Sequence, residues 1–311
     1  MKNSLSSSIA TLLAVVGTSA LALQASAATY NFTNGGGDNA YLNSANWSGT
    51  VVPNTASGDT AVINNGSAVN YVAGPDLTLS NGGQLQVTNG SFTQTVGPAY
   101  IQLAGTGSIL VNGGTFNQGT ASSNPFNVTG TGNAFTVSSG VANISSSFNM
   151  NTGLTYLQSG GVVNVAGAET DFNTTTNTLA GGTFNTKLIT GVNAPGASRF
   201  DITGGVLNLT GAAYNGIYAG GLTQYINFTL GSTGVINWTS GSTTITDVQN
   251  FVTGGIIEYN SGGYGNLSDF NITSNAGVVS LSLVVPEPST YACLLGGLGA
   301  CVVLYRRRRL R

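Results

Sequence analysis

Carboxylates are the side chains best suited to acid–base chemistry in this chain of 311 residues, because the sequence contains ten acidic residues and no histidine. The lack of histidine excludes the Ser-His-Asp and Cys-His nucleophile systems and most zinc and copper sites. Cleavage of a glycosidic bond needs only two carboxyl groups, held about 5 to 10 Å apart. The acidic residues are therefore the candidates for catalysis.

Their spacing gives little support to a catalytic pair. Glu169 and Asp171 lie two residues apart, so they would share one face of a strand. Four further acids stand singly in the sequence: Asp201, Asp247, Glu258 and Asp269. We therefore interpret these residues as solvated surface carboxylates and expect neither enzymatic activity nor a cofactor. A polysaccharide hydrolase or lyase that uses carboxylates alone is the less favoured alternative.

A glycine-rich turn near the N-terminus raises the question of a metal site. The run Gly35-Gly36-Gly37-Asp38-Asn39 is similar to the glycine-aspartate turns that bind calcium in β-rolls. Those turns occur in tandem, whereas this run occurs once. We expect a polar turn that leads into the first structural unit, with calcium binding as the alternative.

The charge of the chain is unevenly distributed. Residues 28–289 hold all ten acids and only two basic residues, Lys187 and Arg199, for a formal charge of −8. A segment this acidic excludes nucleic-acid binding through a basic face, and it has no polybasic patch for anionic lipids. Both cysteines, Cys293 and Cys301, lie outside it, so it uses neither disulfides nor cysteine metal sites.

Short β-type runs bounded by glycine-containing turns fill this segment. Several alternate apolar and polar residues, as half-buried strands do. The runs are 77–79, 84–87, 108–111, 126–128, 134–137, 162–165, 200–202, 206–209 and 234–238. No comparably long stretch has the 3.6-residue period of a helix. The segment is therefore predicted to be all-β.

The turns recur at an interval of roughly 20 to 30 residues, which is typical of repeat proteins. Two units are nearly identical, Asn112–Asn117 and Ala180–Asn185, since both contain Gly-Gly-Thr-Phe-Asn. A single unit cannot bury its own apolar face, so the units must stack. The sequence predicts a β-solenoid, or β-helix, of about eight to ten coils over residues 76–284. Asparagines at equivalent sites should form hydrogen-bonded ladders.

The segment 28–75 differs from these repeats and is predicted to cap the solenoid. Asn46-Trp47-Ser48-Gly49 and the run from Gly58 to Asn64 resemble the opening motif of bacterial surface β-solenoids, including autotransporter-like repeat proteins. Trp47 is expected to close the open end of the first coil, where apolar residues would otherwise meet water. Its alternative role is a platform for binding sugars.

The N-terminus has the pattern of a secretory signal peptide over residues 1–27. Met1-Lys2 is a short positive region, residues 9–23 form an apolar core, and Ala25-Ser26-Ala27 offers small residues for cleavage. We expect cleavage after Ala27, with an uncleaved anchor as the alternative. The chain is therefore predicted to be exported.

The C-terminal segment 285–311 combines a short motif, an apolar span and a basic end. The motif is Val285-Pro286-Glu287-Pro288-Ser289, and the span is about 16 residues long, near the lower limit of about 17 for a membrane crossing. The basic end contains five arginines, which should stay on the cytoplasmic side: Arg306, Arg307, Arg308, Arg309 and Arg311. Together these parts predict a transmembrane helix.

This three-part tail resembles the PEP-CTERM sorting signal of Gram-negative and related bacteria. The resemblance implies recognition by an exosortase, a membrane-embedded cysteine transpeptidase that processes the tail during surface export. The protein would then be held in the inner membrane as a precursor and would mature at the cell surface or outside the cell. The alternative is an ordinary C-terminal anchor.

Three classes of function remain open. We favour a structural or adhesive surface protein, with exosortase as processing partner and self-association as a further property. The second class is an exopolysaccharide-binding module that uses exposed aromatic residues, with the candidates Trp47, Tyr214, Tyr218, Tyr225 and Trp238. Burial of both tryptophans would count against it. The third is the carboxylate-only hydrolase or lyase, whose acids must converge in a groove.

Overall fold

The structure is a computed structural model that describes residues 27–72, 74–95, 100–119, 126–150, 153–172, 176–190, 198–218, 224–260 and 265–284. Within them the chain is an all-β solenoid with few helices, which confirms the predicted fold class. The two predicted terminal helices lie outside the described residues.

In chain order, the 25 strands of the described residues are β1 (Thr29–Asn31), β2 (Thr60–Ile63), β3 (Ala68–Val72), β4 (Leu77–Ser80), β5 (Gln84–Val87), β6 (Ser91–Thr95), β7 (Ile101–Ala104), β8 (Ser108–Gln118), β9 (Phe126–Thr129), β10 (Asn133–Ile144), β11 (Phe148–Met150), β12 (Leu154–Gln158), β13 (Val162–Val165), β14 (Thr170–Phe172), β15 (Thr176–Leu179), β16 (Thr183–Thr186), β17 (Ile189–Thr190), β18 (Ser198–Ile202), β19 (Val206–Leu209), β20 (Ile217–Tyr218), β21 (Gln224–Phe228), β22 (Val235–Trp238), β23 (Ile257–Tyr259), β24 (Phe270–Asn275) and β25 (Val278–Leu283). One α-helix, α1, spans Ile245–Thr253. Short 3-10 helices span Ser44–Asn46, Ser48–Thr50, Thr55–Ser57, Ala213–Gly216 and Leu267–Asp269.

Each coil has three faces, and strands of successive coils pair in parallel on each face. The first face contains β2, β5, the first halves of β8 and β10, β12, β15, β18 and β21, with β1 and β23 at its ends. The second contains β3, β6, the second halves of β8 and β10, β13, β16, β19 and β22. The third contains β4, β7 and β9, followed by β11, β14, β17 and β20.

The bends between faces depend on stacked glycines. Gly140 lies at the bend within β10, with φ +82°, a backbone conformation that side chains with a Cβ rarely adopt. A Cβ at this position would come within 2.2 Å of the carbonyl oxygen of Gly114 in the preceding coil. Glycine is therefore required both by the turn and by the close contact between coils.

The number of coils is smaller than predicted. The third face has seven described strands, and each lies one coil beyond the one before it. The solenoid therefore makes about six turns, whereas about eight to ten were predicted. A coil takes 21 to 29 residues, as the spacing of equivalent asparagines shows. Residues at the C-terminal end, which the prediction counted as repeats, form a cap of one helix and antiparallel strands instead.

The interior is a continuous apolar column. Alternate residues of each strand point inward, and aromatic rings from successive coils contact one another from Trp47 at one end to Phe200 near the other. Phe92 and Phe116 stack with ring centroids 5.7 Å apart. Burial of each such ring contributes roughly 2 to 3 kcal/mol, so stacking of coils supplies the core that a single coil lacks.

Eight of the nine predicted β-runs are strands or parts of strands, and the ninth, 234–238, contains β22 and one residue before it. The two similar units occupy equivalent positions, because Phe116 pairs through Ala142 and Val163 with Phe184, three coils away. The repeats inferred from glycine spacing are therefore genuine structural repeats.

The two ends are closed in different ways. At the N-terminal end, Trp47 packs between Phe32 and Tyr41 at centroid distances of 5.1 and 4.9 Å, and its indole Nε1 donates a hydrogen bond to the Tyr41 carbonyl at 2.6 Å. At the C-terminal end, β25 pairs antiparallel with β22 and with β24, which ends the parallel ladder of the second face. Both ends of the apolar column are thereby covered.

The helix α1 also belongs to the C-terminal cap, and the expectation of no helical stretch in this segment was wrong. It buries Val248 and Val252, while Phe251 stacks on Trp238 at 6.3 Å. A capping box starts it, because the Thr244 hydroxyl accepts from the Asp247 N–H and the Asp247 carboxylate accepts from the Thr244 N–H. A helix of nine residues is too short to show an obvious 3.6-residue period, but the Thr-x-x-Asp spacing of the capping box was visible in the sequence.

Candidate functional site

A charged cluster lies on the outer side of the first face, near its C-terminal end. Asp201 of β18, Asn227 of β21 and Glu258 of β23 stand in register on three adjacent strands. The Arg199 guanidinium donates from Nε to Asp201 Oδ1 and forms an ion pair with it. The Asn227 amide donates to the same oxygen at 2.7 Å. The solenoid thus assembles three polar residues into one row, with Arg199 beside it.

Burial governs the electrostatics of this cluster. Asn227 and Glu258 are buried although they lie on the outer side of the sheet. Burial raises the pKa of the Glu258 carboxyl, and the positive charge of Arg199 opposes that shift. Two strand spacings separate Asp201 from Glu258, or roughly 10 Å. The cluster is therefore a compact ionic network that holds two carboxyl groups on either side of an amide.

The interpretation of Glu258 as a solvated surface carboxylate was wrong, because Glu258 is buried and shares a row with Asp201. They are distant in sequence but two coils apart in space, and the coils vary too much in length for their register to be counted beforehand. However, Asp201 Oδ1 already accepts two hydrogen bonds, from Arg199 and Asn227. Asp247 lies in the capping box of α1, and Asp269 belongs to a short helix of the C-terminal cap. These last two acids stay apart from the cluster.

A second polar row lies on the outer side of the third face. Asn149 of β11, Asp171 of β14, Thr190 of β17 and Tyr218 of β20 are in register. Asp171 is 7% exposed and Thr190 is 2% exposed. Asp171 Oδ1 and Thr190 Oγ1 are buried without a hydrogen-bond partner. Burial, and then the nearby Glu169, raise the pKa of Asp171 to about 6.

The aromatic candidates for sugar binding divide into two groups. Trp47 and Trp238 are each 1% exposed, so neither ring forms a surface platform. Tyr214 and Tyr218 are 63% and 41% exposed, and their ring centroids lie 4.4 Å apart. The Tyr225 side chain lies outside the described part of the structure. The exposed pair is therefore what remains of the predicted aromatic surface.

The backbone that presents this pair is strained. Tyr214 and Asn215 both have left-handed backbone angles, with φ +50° and +52°. Asparagine tolerates this region, but tyrosine adopts it at a cost of about 1 kcal/mol or more. The turn holds the Tyr214 ring in solvent beside Tyr218. Strained backbone of this kind clusters at binding sites.

The Gly35–Asn39 turn is organised by hydrogen bonds to Asp38. Its carboxylate accepts from the Ala40 N–H at 3.0 Å and from the side-chain amides of Asn43 at 2.8 Å and Asn46 at 2.6 Å. These bonds, the Ala40 bond first, lower the pKa of Asp38. Among the described residues, no group of three acidic, histidine or cysteine side chains could hold a metal ion. The Asp38 oxygens are engaged in stabilising the turn.

The outer side of the second face is free of charged residues along two adjacent rows. One row runs from Thr115 to Val235 and contains only threonine and valine. The other is an asparagine ladder. From Asn143 onward, each side-chain amide donates to the side-chain oxygen of the asparagine in the preceding coil, at 2.7 to 3.0 Å; the ladder consists of Asn117, Asn143, Asn164, Asn185, Asn208 and Asn237. At one end of the ladder the Thr93 hydroxyl accepts from Asn117 at 3.1 Å, and at the other end the Ser280 hydroxyl donates to Asn237 at 2.8 Å. The predicted ladder is confirmed.

The residues proposed for export and sorting fall mostly beyond this part of the chain. Ala27 is described and exposed, whereas Ala25, Val285–Ser289 and the arginines from Arg306 onward lie outside the described residues. Within the described ranges, none of the helices has the length and apolar character needed to cross a membrane.

Comparison of the chain with protein-family models, with curated proteins and with solved structures finds no match. The structure and sequence of this chain therefore carry the functional argument alone.

Proposed function

We propose that this protein is an exported bacterial surface or extracellular-matrix protein, with a structural or adhesive role and no catalytic activity. The observation that supports it best is the continuous solenoid with both ends closed and an asparagine ladder along one face. Stacked coils with a shared core make a stiff rod whose ends resist further strand pairing. A rod of this kind suits a role as spacer, scaffold or adhesive surface.

The terminal segments supply the rest of the proposal. The signal-peptide pattern of residues 1–27 would direct export, and the tail 285–311, which resembles PEP-CTERM signals, would bring the chain to an exosortase in the inner membrane. The mature protein would then start at Ala28 and lose its membrane segment near the Val285–Ser289 motif.

Intact mass and location of the native protein, in cells with and without their exosortase, test this proposal. We expect loss of the residues beyond Val285–Ser289, and appearance at the surface or in the medium, only in cells that have the enzyme. A chain that keeps its arginine end in both cell types would make the tail a plain anchor and remove the exosortase from the proposal.

A second candidate function is exopolysaccharide binding, favoured by the exposed Tyr214–Tyr218 pair. Aromatic rings bind sugars through their faces, and these two rings are exposed side by side. Affinity electrophoresis in gels containing the exopolysaccharide of the source cells tests it. Retardation that is lost in Tyr214→Ala and Tyr218→Ala, but kept in Tyr100→Ala, would favour this function; equal mobility of all proteins would dismiss it.

A further inference from the structure

We propose that the outer side of the third face holds a calcium ion between Asp171 of β14 and Thr190 of β17, with the Glu169 carboxylate beside it. This site is independent of the proposed surface role, and it differs from the Gly35–Asn39 turn that the sequence suggested.

Two oxygens at this position are buried and unsatisfied. Asp171 and Thr190 are both more than nine-tenths buried, and their Oδ1 and Oγ1 atoms lack hydrogen-bond partners. Leaving a buried polar group unsatisfied is unfavourable, and burying a carboxylate without a partner is far more so. Two such oxygens on adjacent strands indicate that a group is needed between them.

The Asp171 and Thr190 side chains lie side by side on adjacent strands. Asp171 pairs in register with Thr190, so the two side chains leave the same side of the sheet one strand spacing apart, about 4.8 Å. A cation between donors at this spacing can reach both at the 2.3 to 2.6 Å or so that calcium requires. Glu169, two residues before Asp171, is close enough to raise its pKa.

The charges of Asp171 and Glu169 are not balanced by any basic side chain that the structure describes. Arg199 is paired with Asp201 on the first face, and Lys187 forms no ion pair with any described residue. Two carboxylates therefore lack a basic partner in this part of the fold, and a divalent cation would neutralise both. All donors are oxygens, which suit hard cations.

Calcium fits these donors better than magnesium does. Magnesium demands near-ideal octahedral geometry and dehydrates reluctantly, whereas calcium accepts six to eight or so oxygens in irregular arrangements. Asp171 and Thr190 are fixed by strand register, so they cannot adjust to an octahedron. Water would complete the coordination. Sites with few protein ligands outside the cell bind calcium with dissociation constants on the order of 10⁻⁴ to 10⁻³ M.

Isothermal titration of the purified full chain in detergent with CaCl₂, after removal of metals with EGTA, tests the site. We expect one saturable site in the wild type, and a loss of affinity of about tenfold or more in Asp171→Asn. Asp269→Asn removes the same charge from the C-terminal cap and should leave binding unchanged. Absence of saturable binding in the wild type, or equal binding by Asp171→Asn, would overturn the proposal.

Two further variants keep the test decisive if Asp171→Asn fails to fold. Thr190→Val removes one ligand oxygen while keeping the shape, and should weaken calcium binding. Terbium in place of calcium provides a spectroscopic readout, because Tyr218 stands in register with Thr190 on the next strand, within roughly 5 to 10 Å of the site. Tyr218→Phe should lower the sensitised terbium emission without changing calcium affinity. Unchanged emission would place the ion elsewhere.

Discussion

The backbone N–H of Ala28 donates a hydrogen bond to Asp59 Oδ1 at 3.0 Å, although 31 residues separate them. The other carboxylate oxygen of Asp59 accepts from the Asn54 N–H at 2.8 Å, and the Ala28 carbonyl accepts from the Thr60 N–H at 2.7 Å. If the signal peptide is cleaved after Ala27, the Ala28 nitrogen becomes a positively charged amine at this same position. Processing would thus convert an ordinary hydrogen bond into a charge-assisted one.

We therefore predict that Asp59→Asn destabilises the processed protein by about 1.5 to 3 kcal/mol, the range for hydrogen bonds to charged groups. Asp76→Asn is the matched control, because Asp76 accepts an N–H from Tyr100 at 2.8 Å, and that nitrogen stays an amide. Urea unfolding at low and high salt measures both. The Asp59 effect should shrink at high salt more than the Asp76 effect; equal salt dependence would argue against a paired terminal amine.

The asparagine ladder gives the second prediction. Asn164 donates to Asn143 at 2.8 Å and accepts from Asn185 at 2.7 Å, so Asn164→Ala removes two hydrogen bonds at a half-exposed site. We expect a loss of about 1 to 2 kcal/mol. Asn164→Asp should cost more, because a carboxylate oxygen would then face the Asn143 oxygen and the two acceptors would repel each other.

Ser280→Ala provides the control for the ladder, since Ser280 makes one ladder bond, to Asn237. Its expected cost is about half that of Asn164→Ala. Chemical denaturation at neutral pH measures all three variants. Should Asn164→Ala prove as stable as the wild type, the ladder would be a consequence of coil stacking and no contributor to it.

Local pattern predicted the strands and turns because both depend on nearby residues. Alternation marked runs such as Val206–Leu209, and turn glycines marked the coil interval. Side-chain direction was harder to predict where the pattern is inverted. In β12, Gln158 points into the core while Leu157 is 38% exposed. The Gln158 amide is satisfied there by the Tyr156 hydroxyl of the same strand and by the Thr183 carbonyl, a partner that only the stacking of coils supplies.

The candidate sites depended on register, which the sequence does not contain. Asp201 and Glu258 share a row because two coils of unequal length happen to bring them into register. Asp171 and Thr190 meet for the same reason, and a lone threonine gave no signal of its own. Glu169 and Asp171 were visible as two acids two residues apart, but the burial of Asp171 followed from the fold.

The capping box of α1 yields a prediction about pH. Hydrogen bonds from the Thr244 side chain and then its backbone lower the pKa of Asp247. A carboxyl whose folded pKa is lowered stabilises the fold above its unfolded pKa of about 4, and this stabilisation is lost as the pH falls through the lower folded value. Thr244→Ala should cost about 0.5 to 2 kcal/mol at pH 7 and less in acid.

Unfolding of wild type and Thr244→Ala at several pH values between neutral and strongly acidic measures this difference. Thr253→Ala is a control at the other end of the helix, where the hydroxyl bonds the Gln249 carbonyl instead. A Thr244→Ala effect that stays constant with pH would mean that the Asp247 charge has no part in starting α1.

The N-terminal cap gives the last prediction. Trp47→Ala removes a buried ring that contacts Phe32 and Tyr41, so it should cost about 3 to 5 kcal/mol. Trp47→Phe keeps an aromatic ring but loses the indole bond to the Tyr41 carbonyl, and should cost less. Tyr214→Ala, at an exposed aromatic, should change stability by no more than about 0.5 kcal/mol. Thermal unfolding compares them, and the Phe variant still tests the cap if the Ala variant does not fold. A Trp47→Ala protein as stable as Tyr214→Ala would mean that the ring does not close the core, and would restore Trp47 as a candidate for sugar binding.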